Sequence, residues 1–237
     1  MTMIKHYKIA DLIVQMSPSG RTLQQAQPYE VPVTGKADIE ISFDPKEILK
    51  QSPRLETEDL AEYVASGTVF ARRILNFDGY YVHSSAVVLD GKAYLFTAPS
   101  GTGKSTHTEK WVRLFGARYL NDDKPVLRCV DGVWMAYGTP WSGKHDLSSN
   151  EGVPVGGIAC LSRGKKNEIA PMPSVRAIPY LMSQTVYRLR EDDMEKKLKI
   201  LNRLLQEIPI WDLRCLPDDE AAFVARDAMT NPKGKDL

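Results

Sequence analysis

Nine residues near the middle of the chain, Ala98–Thr106, have the composition of a phosphate-binding loop. They read Ala-Pro-Ser-Gly-Thr-Gly-Lys-Ser-Thr and lie between an apolar run, Ala93–Thr97, and a segment that can be helical, His107–Phe115. Glycines let the backbone point successive N–H groups at a polyphosphate, and the following helix adds the positive end of its dipole. The sequence therefore predicts a strand–loop–helix unit that binds a nucleoside triphosphate.

Individual residues of this phosphate loop have distinct predicted tasks. Lys104 would reach the outer phosphates as a mobile cation, and the Ser105 hydroxyl is placed to ligate the magnesium that accompanies the nucleotide. Ala98 stands where the usual Gly-x-x-x-x-Gly-Lys-Ser/Thr pattern begins, and alanine is small enough to be tolerated there. We expect phosphate contacts from Ser100, Gly101, Thr102, Gly103, Lys104, Ser105 and Thr106.

Composition limits the partners and the compartment. Of 237 residues, 43% are hydrophobic and 26% are charged, as in ordinary soluble globular proteins. Lys plus Arg number 31 against 30 Asp plus Glu, so no global field attracts nucleic acid or anionic membrane. The three cysteines are far apart and predict neither a zinc site nor disulfides. Met1–Ser17 contains no uninterrupted signal-peptide core, and we expect a cytoplasmic protein without nucleic-acid or membrane partners.

The distribution of apolar and polar residues along the sequence predicts one large core with a small β-rich portion before it. Short alternation of apolar and polar residues over Tyr7–Met16 and Ala37–Phe43 indicates strands. We therefore predict an N-terminal β-rich portion at residues 1–56, packed on a core at 57–230. A flexible polar tail is predicted at 231–237.

Helices are predicted from apolar periodicity. Thr57 is predicted to cap a helix over Thr57–Ser66. Two more helices are expected over Val175–Val186 and Asp193–Ile208. The leucine stripe of the last one, which includes Leu201, is interpreted as core or, alternatively, as a subunit contact in a homo-oligomer.

A β-hairpin leads into the phosphate loop. Tyr81–Leu89 is predicted to be one strand, Asp90-Gly91 a tight turn, and Lys92–Thr97 the return strand. The common nucleotide-binding domains enter their loop from a parallel βαβ unit, so this connectivity argues against ordinary motor or GTPase domains. A motor-type ATPase also predicts a longer apolar strand than Arg118–Leu120 before its acidic residues.

Two adjacent acids follow that brief strand, in the run Asn121-Asp122-Asp123-Lys124. Carboxylates at a strand end, soon after a phosphate loop, suit a magnesium ion and a general base. One of them would hold the metal together with Ser105 and the other would act as the base. We take Asp122 as the base and Asp123 as the metal ligand, although the sequence does not distinguish the two. The alternative is a polar turn without chemistry, since Asn and Asp are common in turns.

Two further cations are candidate phosphate ligands. Lys144 ends the loop Gly138–Lys144, which could contact a transferred phosphoryl group or be a bare turn. Arg163 follows the apolar strand Val155–Leu161, where it could clamp phosphate oxygens or belong to a basic hairpin tip.

The order of these parts resembles the HPr kinase/phosphorylase group, which shares its nucleotide-binding core with the ATP-dependent phosphoenolpyruvate carboxykinases. The resemblance covers about Gly79–Leu161: a strand with a histidine, the hairpin, Gly-Thr-Gly-Lys-Ser and Asn-Asp-Asp-Lys. It implies a mixed α/β fold, with a carboxykinase-like P-loop core of mixed, largely antiparallel sheets and flanking helices. In that family the corresponding residues surround the metal and the γ-phosphate, and here they are His83, Lys104, Ser105, Asp122 and Asp123.

The resemblance implies an ATP- and Mg²⁺-dependent kinase that phosphorylates a hydroxyl, most simply of serine, on a protein, peptide or small molecule. His83 would orient the base or the acceptor; as a lone strand histidine it has a purely structural alternative. The separate N-terminal domain and the C-terminal helices of HPr kinase have no match here, so HPr itself is not the expected acceptor. The alternative function is a regulatory protein that binds ATP and hydrolyses it slowly or not at all.

Overall fold

The computed structural model describes residues 4–32, 35–184 and 191–231. Within these ranges the strands are β1 (Lys5–Ile9), β2 (Leu12–Met16), β3 (Glu30–Val31), β4 (Ile39–Glu40), β5 (Gly79–Tyr81), β6 (Ser84–Leu89), β7 (Lys92–Thr97), β8 (Arg118–Asn121), β9 (Val126–Val130), β10 (Val133–Tyr137), β11 (Gly152–Arg163), β12 (Glu168–Pro171) and β13 (Ile210–Cys215). The helices are α1 (Gly20–Ala26), α2 (Pro45–Gln51), α3 (Glu58–Arg73), α4 (Lys104–Phe115), α5 (Ser174–Ser183), α6 (Glu191–Glu207) and α7 (Glu220–Thr230).

A large mixed sheet forms the centre of the molecule. Its strand order is β5-β9-β10-β11-β7-β6-β8, and β13 pairs with β11 and with the edge strand β12. The pairs β11–β7 and β11–β13 are parallel, whereas the other pairs are antiparallel. The mixed α/β class expected from the sequence, with mixed sheets and flanking helices, is confirmed.

Both faces of the large sheet are buried under helices. Alternation along β7 sends Leu95 toward the cluster that contains α5 and α6 residues, and Tyr94 and Phe96 toward the cluster with α4 and α7. Trp111 of α4 is fully buried, with its ring 5.2 Å from each of the rings of Tyr94 and Phe96. Aromatic burial of this kind supplies a large part of the hydrophobic stabilisation and fixes α4 against the sheet.

A second, four-stranded sheet precedes the large one. Its order is β3-β1-β2-β4, and it packs on α3 and on the β5–β9–β10 end of the large sheet. Tyr7 and Val14 of the small sheet share one apolar cluster with Phe70 of α3 and Trp141. The N-terminal strands and the large sheet therefore share one continuous core at this end.

Several local predictions match the structure. The Thr57 side chain accepts a hydrogen bond from the N–H of Leu60 and caps α3, which continues beyond the predicted end to Arg73. The Asp90-Gly91 turn closes the β6–β7 hairpin with both residues at positive φ, as its type requires. Leu201 is fully buried, as a core residue would be. Residues 185 and 186, the predicted end of the helix before α6, lie outside the described ranges.

The predicted single strand Tyr81–Leu89 is wrong, because the chain changes partners in its middle. β5 pairs with β9, whereas β6 pairs with β7 and β8. In between, the Val82 N–H donates to the Pro125 carbonyl at 3.2 Å, and the Ser84 N–H donates to the Asp123 carbonyl at 3.0 Å. His83 thus lies at a junction between two parts of the sheet and not inside a strand.

The backbone around Gly138 is packed too closely for any side chain. A Cβ at Gly138 would lie 1.9 Å from the Ser149 carbonyl oxygen, whereas one at Gly157 would lie 3.5 Å from its nearest neighbour, the Pro209 carbonyl oxygen. We expect Gly138→Ala to lower the free energy of unfolding by about 2 kcal/mol or more. The matched Gly157→Ala should change it by less than about 1 kcal/mol. Urea unfolding of both variants measures this, and equal stabilities would contradict the packing described.

Candidate functional site

The phosphate loop connects β7 to α4, as the sequence predicts. Gly101 and Gly103 have φ values of 76° and 119°, which side-chain-bearing residues rarely adopt, and Gly103 precedes the first turn of α4. Ala98 is fully buried in the cluster around Trp111, so its methyl group replaces the first glycine of the pattern without steric cost. The Lys104 ammonium is buried and donates to the Ala98 carbonyl at 3.0 Å.

Asp122 is joined to α4 through hydroxyl groups. The Ser85 hydroxyl donates to Asp122 Oδ1 at 2.5 Å and lies 2.8 Å from the Thr108 hydroxyl. Since the Ser85 hydrogen goes to Asp122, the Thr108 hydroxyl donates to Ser85, and the same hydroxyl lies 3.1 Å from the carbonyl of Ser105. Since Asp122 is buried as well, its carboxylate is held beneath the first turn of the helix that follows the phosphate loop.

Asn121 sets the direction of both acids. Its fully buried side chain accepts the N–H groups of Asp123 and Lys124 at 3.0 and 2.7 Å, and donates to the Thr139 carbonyl at 2.9 Å. Asn side chains commonly form this kind of turn over the next residues. No role is predicted for Asn121 from the sequence, although an Asn before two acids indicates a turn that its side chain stabilises.

Asp123 is the more accessible acid and has two charged or chargeable neighbours. Its Oδ1 lies 3.4 Å from His83 Nε2, and its Oδ2 forms an ion pair with Lys124. Burial by itself would raise the pKa of Asp123, but the hydrogen bond with His83 and the charge of Lys124 outweigh burial and lower the pKa below its ordinary value of 3.8. Asp123 is therefore ionised at neutral pH.

Burial also acts on Lys104. Desolvation, the largest cause, lowers the pKa of its ammonium, while the negative charges of Asp123 and Asp122 act in the opposite direction. The lysine and the two carboxylates are therefore close enough to influence one another. The ammonium charge therefore interacts electrostatically with both carboxylates.

These residues line one cleft of about 440 Å³, which we call the phosphate cleft. It brings together most of the residues singled out in the sequence: His83, Ser100, Gly101, Gly103, Lys104, Ser105, Thr106, Asp122, Asp123 and Lys144, with Gly143 and His145 beside them. Opposite charges and metal-ligating oxygens face the same space at a helix N-terminus. Such a cleft can hold a polyphosphate and place a carboxylate beside it.

Arg163 lies on the other side of the phosphate loop. It donates to the Gly101 carbonyl at 2.8 Å, so the described contact is with the loop backbone. A second cavity of about 450 Å³ opens there, and Lys110 and Thr102 are among its lining residues with Arg163 and the segment Cys215–Pro217. Lys110 gave no signal in the sequence, because a lysine two turns into a helix is usually a solvated residue.

The loop at Gly143 is held by residues from the N-terminal part of the chain. Arg21 and Gln25 of α1 donate to the Gly143 carbonyl, the latter at 3.0 Å. The Gly143 N–H donates to the Tyr63 hydroxyl at 3.1 Å. A Cβ at Gly143 would lie 3.0 Å from Asp123 Cβ. The sequence could not reveal the hydrogen bonds from Arg21, Gln25 and Tyr63, since these residues lie 80 to 122 positions from Gly143.

Comparison with known proteins places few constraints on this chain. No family model matches it, and no curated protein matches it. Among solved structures it is similar to the Hpr(Ser) kinase/phosphatase from Coxiella burnetii, with 14% identity, a TM-score of 0.38 and coverage of 65% of this chain and 99% of that one. A similarity at this level carries no argument about activity.

Two features are absent from residues 4–32, 35–184 and 191–231. No helix in these ranges is both long and apolar enough to cross a membrane. The same ranges contain no group of three or more His, Cys, Asp or Glu side chains that could hold a metal ion on its own.

The ionic environment of Asp123 gives a direct test of the site geometry. Because Lys124 favours the ionised carboxylate, Lys124→Met should raise the pKa of Asp123, whereas Lys144→Met, which removes a cleft lysine not paired with it, should change it little. Carbon-13 NMR titration of the Asp123 carboxyl group measures this pKa in both variants and in the wild type. Since this pKa is lowered on folding, the pair stabilises the protein above pH 3.8 and loses that contribution as pH falls through the folded pKa. A wild-type pKa above 3.8 would contradict the arrangement.

Proposed function

We propose that the protein is an ATP- and Mg²⁺-dependent phosphotransferase with an HPr kinase-like P-loop core, moving the γ-phosphoryl group to a hydroxyl of serine type. The observation that carries the proposal is the convergence of His83, Lys104, Asp122 and Asp123 on one cleft beside the phosphate loop. Phosphoryl transfer needs charge neutralisation, which we assign to Lys104, metal binding by one aspartate, and proton removal by the other, which His83 orients. In this proposal residues 57–230 are the catalytic core, and residues 1–56 support the Gly143 loop.

The phosphate groups are assigned to the loop amides and Lys104. In the structure Lys104 donates to a neutral carbonyl, which an anionic phosphate oxygen can replace as a stronger acceptor. The nucleoside is assigned to the second cavity, of about 450 Å³, which Gly101, Thr102 and Gly103 of the same loop line. Lys110 and Arg163 would lie beside that end of the nucleotide, with Arg163 also fixing the loop backbone.

The oxygen ligands present are of the type that Mg²⁺ prefers. Magnesium is usually held by one or two carboxylates together with substrate phosphates, so a larger protein cluster is not required. Ser105 and Asp122 suit this task, because Ser85 and Thr108 connect the Asp122 carboxylate with the first turn of α4. When bound, the ion would neutralise charge on the β- and γ-phosphates.

Asp123 suits the role of base better than Asp122 does. This assignment is the reverse of the one expected from the sequence. The Asp123 carboxylate is half-buried in the cleft, ionised at neutral pH, and oriented by His83 and Lys124. An acceptor hydroxyl entering beside Gly143 and Lys144 would give its proton to Asp123 as its oxygen attacks the γ-phosphorus and the bond to the β-phosphate oxygen breaks. Lys144, which lines the same cleft, would neutralise charge on the transferred phosphoryl group.

Two asparagine variants distinguish these roles. We expect Asp123→Asn to lower kcat by about 100-fold or more with nucleotide affinity nearly unchanged, because only proton removal is lost. Asp122→Asn should instead raise the magnesium concentration needed for half-maximal activity. The measurement is ADP formation from Mg²⁺–ATP with free serine or serine-containing peptides as acceptors. A normal rate for Asp123→Asn would contradict the assignment.

The same assay decides between the proposal and the alternative of a slow regulatory ATPase. Acceptor-dependent ADP formation supports a kinase, whereas slow hydrolysis that no hydroxyl compound accelerates supports the alternative. Lys104→Met is the matched control in either case. It should weaken nucleotide binding itself, since it removes the cation assigned to the phosphates.

A further inference from the structure

The second cavity, beside the phosphate loop, has basic side chains in its wall and no acid among its described lining residues. Lys110, Arg163 and His107 all line it. Asp218 lies just beyond the lining, and its carboxylate is already occupied, because it accepts the Asn167 side-chain amide at 2.9 Å and the Ala221 N–H at 3.1 Å. The cavity wall therefore carries positive charge that no lining carboxylate balances.

Lys110 is a buried cation without a partner in the described part of the chain. The residue is 8% exposed, and its ammonium forms no hydrogen bond or ion pair with any described residue. The nitrogen is not among the polar atoms that the protein encloses completely, so it is open to the cavity that the residue lines. An ammonium has three donors, and buried charges are normally paired. A ligand in the cavity can therefore reach this charge.

Two pKa shifts locate the Lys110 charge. Burial, the larger cause, and the Lys110 charge together lower the pKa of His107 to about 3. Burial raises the pKa of the Cys215 thiol, and the Lys110 charge acts in the opposite direction. The ammonium therefore lies near two other lining residues of the cavity, one on α4 and one at the end of β13.

His107 offers a second donor to the same space. The residue is 3% exposed, its ring centroid lies 4.5 Å from that of Phe96, and its Nε2 accepts the indole N–H of Trp111 at 3.2 Å. Since the ring is neutral at physiological pH and Nε2 is the acceptor, Nδ1 carries the hydrogen. Nδ1 has no hydrogen-bond partner among the described residues and is not enclosed, so this N–H is also open to the second cavity.

Helical spacing brings both donors to the side of α4 that adjoins the phosphate loop. Gly103, Thr106, His107 and Lys110 are separated by three, one and three residues, which places them on one face of the helix. Helical side chains lean toward the N-terminus of their helix, so the Lys110 stem runs back toward Thr106. The two donors therefore lie on the continuation of the loop surface.

We infer that the second cavity binds a phosphate group through the Lys110 ammonium and the His107 Nδ1–H. A neutral nucleoside alone would leave the Lys110 charge unbalanced, whereas a phosphate group supplies negative charge and an acceptor oxygen for each donor. Lysine binds phosphate well as a point charge. Binding at this second phosphate position requires neither phosphoryl transfer nor a hydroxyl acceptor, so it goes beyond the proposed function.

Two kinds of molecule would bring such a group to the cavity. One is the donor nucleotide, whose α-phosphate is the phosphate nearest the nucleoside, and this source rests on the proposed function. The other is a separate phosphate compound bound beside the nucleotide. The chemistry at Lys110 and His107 is the same for both sources, and competition between ligands distinguishes them.

Histidine-selective nitrogen-15 NMR measures occupancy of the site. The chain has four histidines, and the His107 ring is recognised by its Nδ1–H tautomer and by staying neutral in mildly acidic solution, because its pKa is about 3. We expect inorganic phosphate, added at constant ionic strength without magnesium or nucleotide, to shift this signal saturably with a Kd of about 10 mM or lower. Absence of a saturable shift would overturn the inference and would leave the test of kinase activity untouched.

A non-hydrolysable ATP analogue identifies the source of the phosphate group. If the α-phosphate occupies the site, saturating analogue shifts the His107 signal and abolishes the further shift by inorganic phosphate. If a separate compound is the natural ligand, the protein saturated with analogue still binds inorganic phosphate with nearly the same Kd. Both results support the site, and each assigns it to one source.

Four lysine variants locate the bound phosphate. Lys110→Met should weaken phosphate binding, measured from the His107 signal, by about tenfold or more, whereas Lys110→Arg, which keeps the cation, should retain it within about threefold. Lys165→Met removes an exposed charge next to the cavity wall, and Lys104→Met removes the cation of the phosphate cleft. Neither should change the Kd by more than about twofold, since neither contacts the site.

Thermal unfolding checks that the Lys110 variants are folded. Lys110→Met should be at least as stable as the wild type, because methionine fills the space of the lysine stem without burying a charge. A phosphate Kd that is the same in wild type and in folded Lys110→Met would overturn the inference. Binding that is lost in Lys104→Met but retained in Lys110→Met would place the phosphate on the loop and would overturn it as well.

Discussion

The hydrogen bond from the Ser85 hydroxyl to Asp122 joins the three elements on which the candidate site depends. Ser85 belongs to β6, Asp122 follows β8, and the Thr108 hydroxyl beside Ser85 belongs to α4. This buried contact sets the distance between the phosphate loop and the acids without a metal or a ligand. Because Ser85, Thr108 and Asp122 are all buried and Ser85 contacts the other two directly, the arrangement is organised before any nucleotide binds.

The change of strand partners at Val82–Ser84 gives the site its second wall. If residues 81–89 formed one regular strand, His83 would lie within a ladder and alternate with its neighbours across the sheet. The backbone instead bonds to Pro125 and to Asp123, which brings the His83 ring to the Asp123 carboxylate. The irregular backbone therefore positions a side chain that a continuous strand would direct elsewhere.

The sequence predicted the features that depend on local backbone preferences. The glycine-rich loop between β7 and α4, the Asp90-Gly91 turn and the Thr57 cap each follow from a few adjacent residues, and the structure contains all three. It could not predict the break at His83, because that break depends on a partner strand more than 40 residues away. The support of Gly143 by Arg21 and Gln25 was hidden for the same reason, since no local pattern encodes a contact across 118 to 122 positions.

The division of tasks between the two acids also depends on tertiary contacts. Adjacent aspartates are equivalent in the sequence, but the fold gives Asp122 a hydroxyl network next to α4 and gives Asp123 a histidine and a lysine. On these surroundings rests the proposal that Asp122 binds the metal and Asp123 removes the proton. The Gly143 loop lines the cleft beside both acids.

In the proposed function, the phosphate loop and the two acids form a single metal–nucleotide site. A crystal structure with Mn²⁺ and a non-hydrolysable ATP analogue tests it most directly, because anomalous scattering locates the manganese independently of the atomic interpretation. We expect the manganese peak at bonding distance from Ser105 and Asp122, with Lys104 on the phosphates and Asp123 facing the γ-phosphate without ligating the metal. A nucleotide bound elsewhere, or manganese ligated by Asp123 and not by Asp122, would contradict the account.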